Sequence, residues 1–370
     1  MKRLASLRLH TLHIPFRQRF SHASAQRTET SSIWVEAMGD DGRTGCGEAC
    51  PRPYVTGETL ESARAFFNAT HAEVIAEIHD ATTLRAWVAA HASRIDCHPA
   101  AWCAIELALI DLFAQQAEQT AEAWLGLPAT TGKFQYSAVL GDADLPTFAA
   151  TFSRYLEIGI TDFKLKLSGD LARDRDKLAV LKDAGTAVAR LRLDANNVWQ
   201  SVDTARDFLT ALDAPAFAVE EPLAIHLRTH LPALAQALDI AVILDESLCR
   251  IGELADCAAG TRWIPNLRVS KMGGLLRALD LVDAARIRGM PLIIGAQVGE
   301  TSLLSRVALT VARAAGESLL AQEGAFGTYL LEHDACTPPI MFGAGGSLHH
   351  EATEPGWGLA CAPTNAWLRG

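Results

Sequence analysis

Lys164 and Lys166 lie two residues apart in the stretch TDFKLKLSGD at 161–170, which reads as a short buried strand. Side chains alternate across a strand, so both ammonium groups point to one side while Phe163, Leu165 and Leu167 point to the other. Two like charges on an apolar strand call for an anion opposite them, either a carboxylate-rich metal site or a bound acid. The pair alone also fits a solvated edge strand with snorkelling lysines. Asp194, Glu220 and Asp245 shift the balance, because each closes a short apolar run one β/α unit after the last. Three carboxylates brought together repel and cannot all ionise without a cation. An all-oxygen set favours a hard ion, Mg²⁺ before Mn²⁺, one per subunit, completed by water and substrate. A single acid at a strand end is more often a helix cap or an ion-pair partner. Three in register beside K-x-K favour the metal site.

The elements that must position these groups follow a β/α period. Short apolar strands are expected at 134–140, 162–167, 190–194, 218–220, 241–245, 266–269, 291–295 and 319–322, with amphipathic helices such as 170–183, 202–212, 228–237 and 277–288 between them. Eight strands alternating with helices predict a parallel TIM-type (β/α)7β barrel, whose C-terminal strand ends carry catalytic groups. Before it, alternation predicts strands at 4–16, 32–38 and 44–48, and helical periodicity predicts helices at 60–78, 84–94, 100–116 and 120–125. This is an N-terminal α+β capping domain. The boundaries read as 1–131 for the cap, 132–346 for the barrel and 347–370 for a tail that returns to complete the cap. The 100–116 helix is apolar almost all round and so buried, with Glu106 and Asp111 as structural carboxylates. Two cap loops are rich in charged and aromatic residues, 17–27 with Arg19, His22 and Arg27, and 51–58 with Arg52 and Tyr54.

Composition narrows the function. The chain has 370 residues, 49% hydrophobic and 21% charged, with a formal net charge of -10 and no basic stripe, which argues against nucleic acid as a partner. No uninterrupted apolar run approaches the roughly 18 residues that span a membrane, and Arg8, His10 and His13 break the N-terminal apolar run before a secretory h-region forms. Eight cysteines without regular spacing suit scattered reduced thiols and a cytoplasmic location. A small carboxylate substrate and a homo-oligomer are expected.

Lys164-Leu165-Lys166, Asp194-Ala195-Asn196, Val219-Glu220-Glu221-Pro222, Asp245-Glu246-Ser247 and Gly273-Gly274 together resemble the muconate-lactonizing (muconate cycloisomerase) subgroup of the enolase superfamily, over nearly the whole chain. The resemblance implies proton abstraction α to a carboxylate, with the resulting enolate held on Mg²⁺. It implies Asp194, Glu220 and Asp245 as metal ligands, and Lys166 as the acid/base. Lys164 becomes the neighbour that lowers the Lys166 pKa and holds the carboxylate. A lysine near its free pKa of about 10.4 is a poor base at neutrality, and a nearby cation shifts it toward the working range.

One departure stands out. The subgroup carries a second lysine on the sixth strand, five residues before Gly-Gly, and this chain has Arg268 there. A guanidinium stays protonated and is a poor base, though a good electrostatic partner. Lys271 falls on the opposite face if the strand continues. The loss of a second base favours a lyase, dehydratase or cycloisomerase using Lys166 alone, with a racemase or epimerase as the alternative and a non-catalytic binding protein as a remote one. The superfamily's dipeptide epimerases carry an acidic pair at the eighth strand, one residue between, and its absence here demotes that substrate class. Asn196, Gln297, Glu300 and Glu323, with His22, Arg27, Arg52 and Tyr54 from the cap, are candidate substrate contacts.

Overall fold

The structure, a computed structural model, describes residues 3–22, 25–257, 259–364 and 366–369, with the side chains of 18–22, 25 and 26 outside the description. The chain opens with β1 (Leu4–Leu12), β2 (Pro15–His22), β3 (Ala25–Glu29), β4 (Ser32–Gly39) and β5 (Thr44–Ala49). β1, β4 and β5 pair antiparallel, whereas β2 and β3 form a separate antiparallel ribbon. The 17–27 segment expected as a loop is therefore largely ribbon, and the expected 4–16 strand is split after Leu12.

Helices α1 (Leu60–Glu77), α2 (Ala81–Ala90), α3 (Ala92–Cys97), α4 (Pro99–Gln116) and α5 (Ala121–Leu125) follow. A capping box starts α1, with Thr59 Oγ1 accepting from the Ser62 N–H and Ser62 Oγ accepting from the Thr59 N–H. α4 lies directly on β5, and side chains at Gly45 and Gly47 would collide with the carbonyl oxygens of Ala108 and Ala104. Glu106 accepts from Trp102 Nε1 and the Leu276 N–H, and Asp111 from the N–H groups of Cys46 and Trp357, so both serve packing as expected.

After β6 (Thr131–Gln135) the barrel runs β7 (Ala138–Leu140), α6 (Leu145–Glu157), β8 (Asp162–Lys166), α7 (Leu171–Asp183), β9 (Arg190–Asp194), α8 (Val202–Leu212), β10 (Ala218–Glu220), α9 (Leu231–Leu238), β11 (Ala241–Leu244), β12 (Trp263–Leu267), α10 (Val269–Met272), α11 (Leu275–Ile287), β13 (Leu292–Ile294), α12 (Ser302–Ala315) and β14 (Leu319–Gln322). β7 to β14 are parallel neighbours in chain order. The sheet closes on itself, since the Ser137 N–H and Oγ both donate to Gln322 O, at 2.9 and 3.1 Å. The connection from β11 to β12 has a 3-10 turn, Ile251–Asp256, in place of an α-helix. β6 stands outside the barrel and pairs with β16 (Ser347–Glu351), which follows β15 (Cys336–Thr337). β17 (Ala360–Cys361) pairs with β15, and β18 (Leu368–Arg369) pairs with β1, so the tail completes the cap sheet.

Two cores result. Ala218, Ala241, Ile243, Ile264, Ile293 and Ala321 fill the barrel interior below the mouth, and a larger cluster joins the outer strand faces, the helices and the cap. Phe163 and Leu165 belong to the outer cluster, which leaves Lys164 and Lys166 facing inward. Cys336 and Cys361 face each other as free thiols with their sulfurs 3.5 Å apart.

Candidate active site

Register builds the site. Lys166 pairs with Asp194 across β8 and β9, and Asp194 with Glu220 across β9 and β10. Directly paired residues share a face, so these three side chains lie in one inward layer. Asp245 follows the end of β11. Asp194, Glu220 and Asp245 are fully buried.

Each carboxylate meets a cation. Lys166 Nζ donates to Asp194 Oδ2 at 2.9 Å and to Asn196 Oδ1 at 2.7 Å. Lys164 Nζ reaches Glu220 Oε2 at 3.1 Å, Asp194 Oδ2 at 3.3 Å and Glu323 Oε2 at 3.0 Å. Arg268 Nη2 bonds Asp245 Oδ2, and its Nη1 donates to Gln297 Oε1 at 3.0 Å. Burial alone would raise Asp194 and Asp245, but Lys166 and Lys164 hold the first below its ordinary range, and Arg268 and Lys271 hold the second down to about 2. For Glu220 burial prevails over Lys164 and lifts it to about 8. Burial works against charge on Lys164, yet Glu220, Glu323 and Asp194 outweigh it and raise its pKa above the ordinary lysine value.

Lys271 departs from expectation. The sixth strand ends at Leu267, not beyond Arg268, and α10 turns the chain back. The helical turn brings the Lys271 ammonium beneath the site, where it donates to Asp245 O, Asp245 Oδ1 and Asn266 O at 2.7, 2.9 and 2.9 Å.

A cavity of about 640 Å³ opens over this layer. Lys164, Lys166, Asn196, Glu246, Arg268, Gln297, Glu300 and Glu323 line its floor and wall, Phe148, Tyr155, Phe326 and Phe342 supply apolar surface, and Tyr54 of the cap reaches it. The cap thus covers the C-terminal mouth. Arg27 bonds Tyr54, and the His22 side chain lies outside the described residues. Arg52 is placed differently from a substrate contact. It is fully buried off the cavity wall and donates to Ser31 O, Pro51 O and Val298 O, tying the cap to the segment after β13.

Sequence reading missed Arg192, fully buried inside the barrel, which donates to Asp162, Ser137 Oγ and Glu323 Oε1 at 2.8, 2.7 and 2.8 Å. The alternation Arg190-Leu191-Arg192-Leu193-Asp194 was the available signal, since it puts Arg192 on the Asp194 face. Glu323 is consequently shared between Arg192 and Lys164. Among the described non-glycine residues with left-handed φ, Asn196 (45°), Asn197 (58°), Glu221 (39°) and Ala325 (51°) lie just after barrel strands, so part of the backbone strain sits at the mouth.

The donor chemistry suits a hard divalent ion, because the three buried carboxylates offer only oxygen, and two further buried oxygens beside them, Asn266 Oδ1 and Glu246 Oε2, have no hydrogen-bond partner. The carboxylates are turned onto their cations, and among the described residues no three acid, imidazole or thiol side chains converge as a ligand set. The residue types fit Mg²⁺, and Asp194, Glu220 and Asp245 are the groups that would hold it.

A closed parallel barrel with an α+β cap over its mouth is the architecture of the enolase superfamily. Residues 147–364 match the family model for the enolase C-terminal domain-like fold, and the chain belongs to that family. It is 29% identical over 352 residues to the L-Lys-D/L-Arg epimerase of Methylococcus capsulatus, covering 89% of this chain and 95% of that protein. A solved dipeptide epimerase from Methylococcus capsulatus, in complex with Mg and the dipeptide L-Arg-D-Lys, superposes with a TM-score of 0.82 at 28% identity, covering 97% of this chain and 99% of the other. Muconate lactonizing enzyme from Pseudomonas fluorescens shares the fold, with a TM-score of 0.86 at 20% identity over 100% of both chains.

Proposed function

We propose that this chain is a Mg²⁺-dependent isomerase, a racemase or epimerase, that moves the proton on the carbon α to a carboxylate. The observation that carries the reading is the pair Lys166 and Arg268 lining one cavity from β8 and from the end of β12, four strands apart in a closed barrel of eight and hence on opposing walls. A bound ion would withdraw charge from the substrate carboxylate and so acidify the α-carbon. Lys166 exchanges the proton on its face. Arg268 presents a fixed positive charge to the enolate from the other side. The epimerase relative and the Mg-bound neighbour support an isomerase over the lyase favoured by sequence reading. A one-base lyase or cycloisomerase stays as the second reading, supported by Arg268 itself, whose pKa burial would lower but whose surrounding carboxylates raise.

The substrate class follows from what is already paired. Glu323 is engaged by Arg192 and Lys164, which leaves it poorly suited to a free ammonium group. The apolar wall suits an aliphatic or aromatic body. N-acyl amino acids therefore rank ahead of dipeptides, which enter through the relatives.

The test is solvent deuterium exchange at the α-carbon of each hand of N-acetyl and N-succinyl amino acids and of dipeptides, followed by proton NMR. Exchange should stop on chelation and return with Mg²⁺. Without substrate, Mg²⁺ at a hundredfold excess over its Kd should add about 2.7 kcal/mol of stability. Exchange indifferent to chelator would exclude the metal-dependent reading. Arg268→Met should slow turnover about 10²-fold without changing which hand exchanges, and an unaltered rate would remove its electrostatic role.

A further inference from the structure

Exchange on two faces needs a titrating group on each, and Arg268 is not one. We infer that Glu300 is the second acid/base of this site, exchanging a proton with substrate on the face opposite Lys166, an inference that rests on the isomerase reading above.

Of the other candidates, Lys271 and Glu323 are engaged elsewhere, and Glu246 belongs to the carboxylate cluster. Lys271 directs its ammonium at Asp245 and the Asn266 carbonyl and is absent from the cavity wall. Glu323 is held by Arg192 and Lys164. Glu246 adjoins Asp245, inside the acidic cluster itself. No histidine lines the cavity among the described residues.

Glu300 lies in the segment after β13, the strand next to β12, and lines the cavity. Its Oε1 accepts from the Gln297 N–H at 2.6 Å, and Gln297 Oε1 accepts from Arg268 Nη1 at 3.0 Å. One glutamine thereby fixes the carboxyl and the guanidinium on the same wall, across from Lys166. Among the described residues, the titratable and charged groups around Glu300 are Arg268 and Tyr136 from the barrel and Arg52, Glu48, Cys50 and Cys103 from the cap. Burial pushes its carboxyl up, and the Gln297 N–H, Arg268 and Arg52 limit the rise to about 7. Near neutrality both forms are populated, as an acid/base requires.

The proton balance is simple. From one hand of the substrate, neutral Lys166 takes the α-proton and neutral Glu300 gives its carboxyl proton to the opposite face, leaving an ammonium and a carboxylate. The other hand runs the same step backwards. Exchange with water resets both groups.

The experiment is α-proton exchange in D₂O with Mg²⁺ on the separate hands of the N-acetyl, N-succinyl and dipeptide panel, for the wild type, Glu300→Gln, Glu300→Asp and Glu246→Gln. The wild type should exchange both hands of at least one compound. Glu300→Gln should lose one hand by at least about 10²-fold and keep the other, and that retained hand is its own control for folding. Glu300→Asp should keep both, more slowly. Wild-type exchange of a single hand overturns the inference but leaves α-proton abstraction standing. So does exchange of both hands in Glu300→Gln, loss of one hand in Glu246→Gln instead, or loss of both hands in both Glu300 variants. No exchange of any panel member by the wild type removes the isomerase reading and this inference with it.

Discussion

Lys166→Met is expected to stop interconversion of the two hands of the substrate, by about 10²–10⁴-fold, in a protein that still folds. The Lys166 ammonium reaches into the cavity while bonded to Asp194 and Asn196. Interconversion in either direction needs it once, as base or as acid. Folding should survive because Asp194 keeps Lys164 as a partner at 3.3 Å, and methionine replaces the buried stem at similar volume. Lys166→Arg should fail equally, since it restores charge without a group that gives up its proton. The measurement is optical rotation for turnover beside α-proton exchange for each hand. If only the Lys166 hand stops exchanging, a second acid/base is at work. If both stop, the site has one base and the lyase reading returns. Undiminished turnover would remove Lys166 from the chemistry.

The barrel was legible because its period is long and regular. Apolar runs one β/α unit apart predict parallel strands, and register then fixes which polar residues share a height, so the spacing alone places Lys166, Asp194 and Glu220 together. What failed was decided at element ends. Arg268 and Lys271 were set on opposite faces on the premise that the sixth strand continues, and α10 breaks that premise by winding Lys271 back under Asp245. The segment at 134–140 looked like one strand, but its first part pairs with the tail at β16, a partner more than two hundred residues away that no local pattern announces. Arg52 looked like a substrate contact because charged loop residues often are, and its burial against Val298 O depends on how the cap sits on the barrel. The partners of Glu323 also come from separate strands, β9 and β8, and only the closed barrel brings them together.

Arg306→Met is expected to lower the stability of the whole protein by about 3–5 kcal/mol, because one guanidinium joins cap, barrel and tail. Arg306 projects from α12 of the barrel and makes a bidentate pair with Glu122 on α5 of the cap, at 2.8 and 3.1 Å. Its Nε donates to Trp357 O of the tail at 3.0 Å, and its charge lies 5.8 Å from the Trp357 ring centre. Thr310 Oγ1 adds a 2.6 Å bond to Glu122. Arg306 is 1% and Glu122 0% exposed, so the variant leaves a carboxylate buried without its cation. Burial alone would raise the Glu122 pKa, and Arg306 with Thr310 brings it below the ordinary value. In the wild type this pair therefore stabilises the fold above the ordinary glutamate range near 4.5 and loses its contribution as pH falls through the depressed folded value. The variant should show the opposite slope. With Arg306 gone, burial raises Glu122, and the penalty grows as pH rises through that raised value. His350 nearby is held down to about 4, chiefly by burial and then by Arg306, so it stays neutral across the neutral range. Urea unfolding at pH 5 and pH 8 measures both effects, with the wild-type-to-variant gap wider at pH 8. Adding Glu122→Gln should recover part of the loss, because it removes the orphaned charge. An equal gap at both pH values, with no recovery in the double variant, would show that the lost packing on Trp357, and not the ion pair, had held the three parts together.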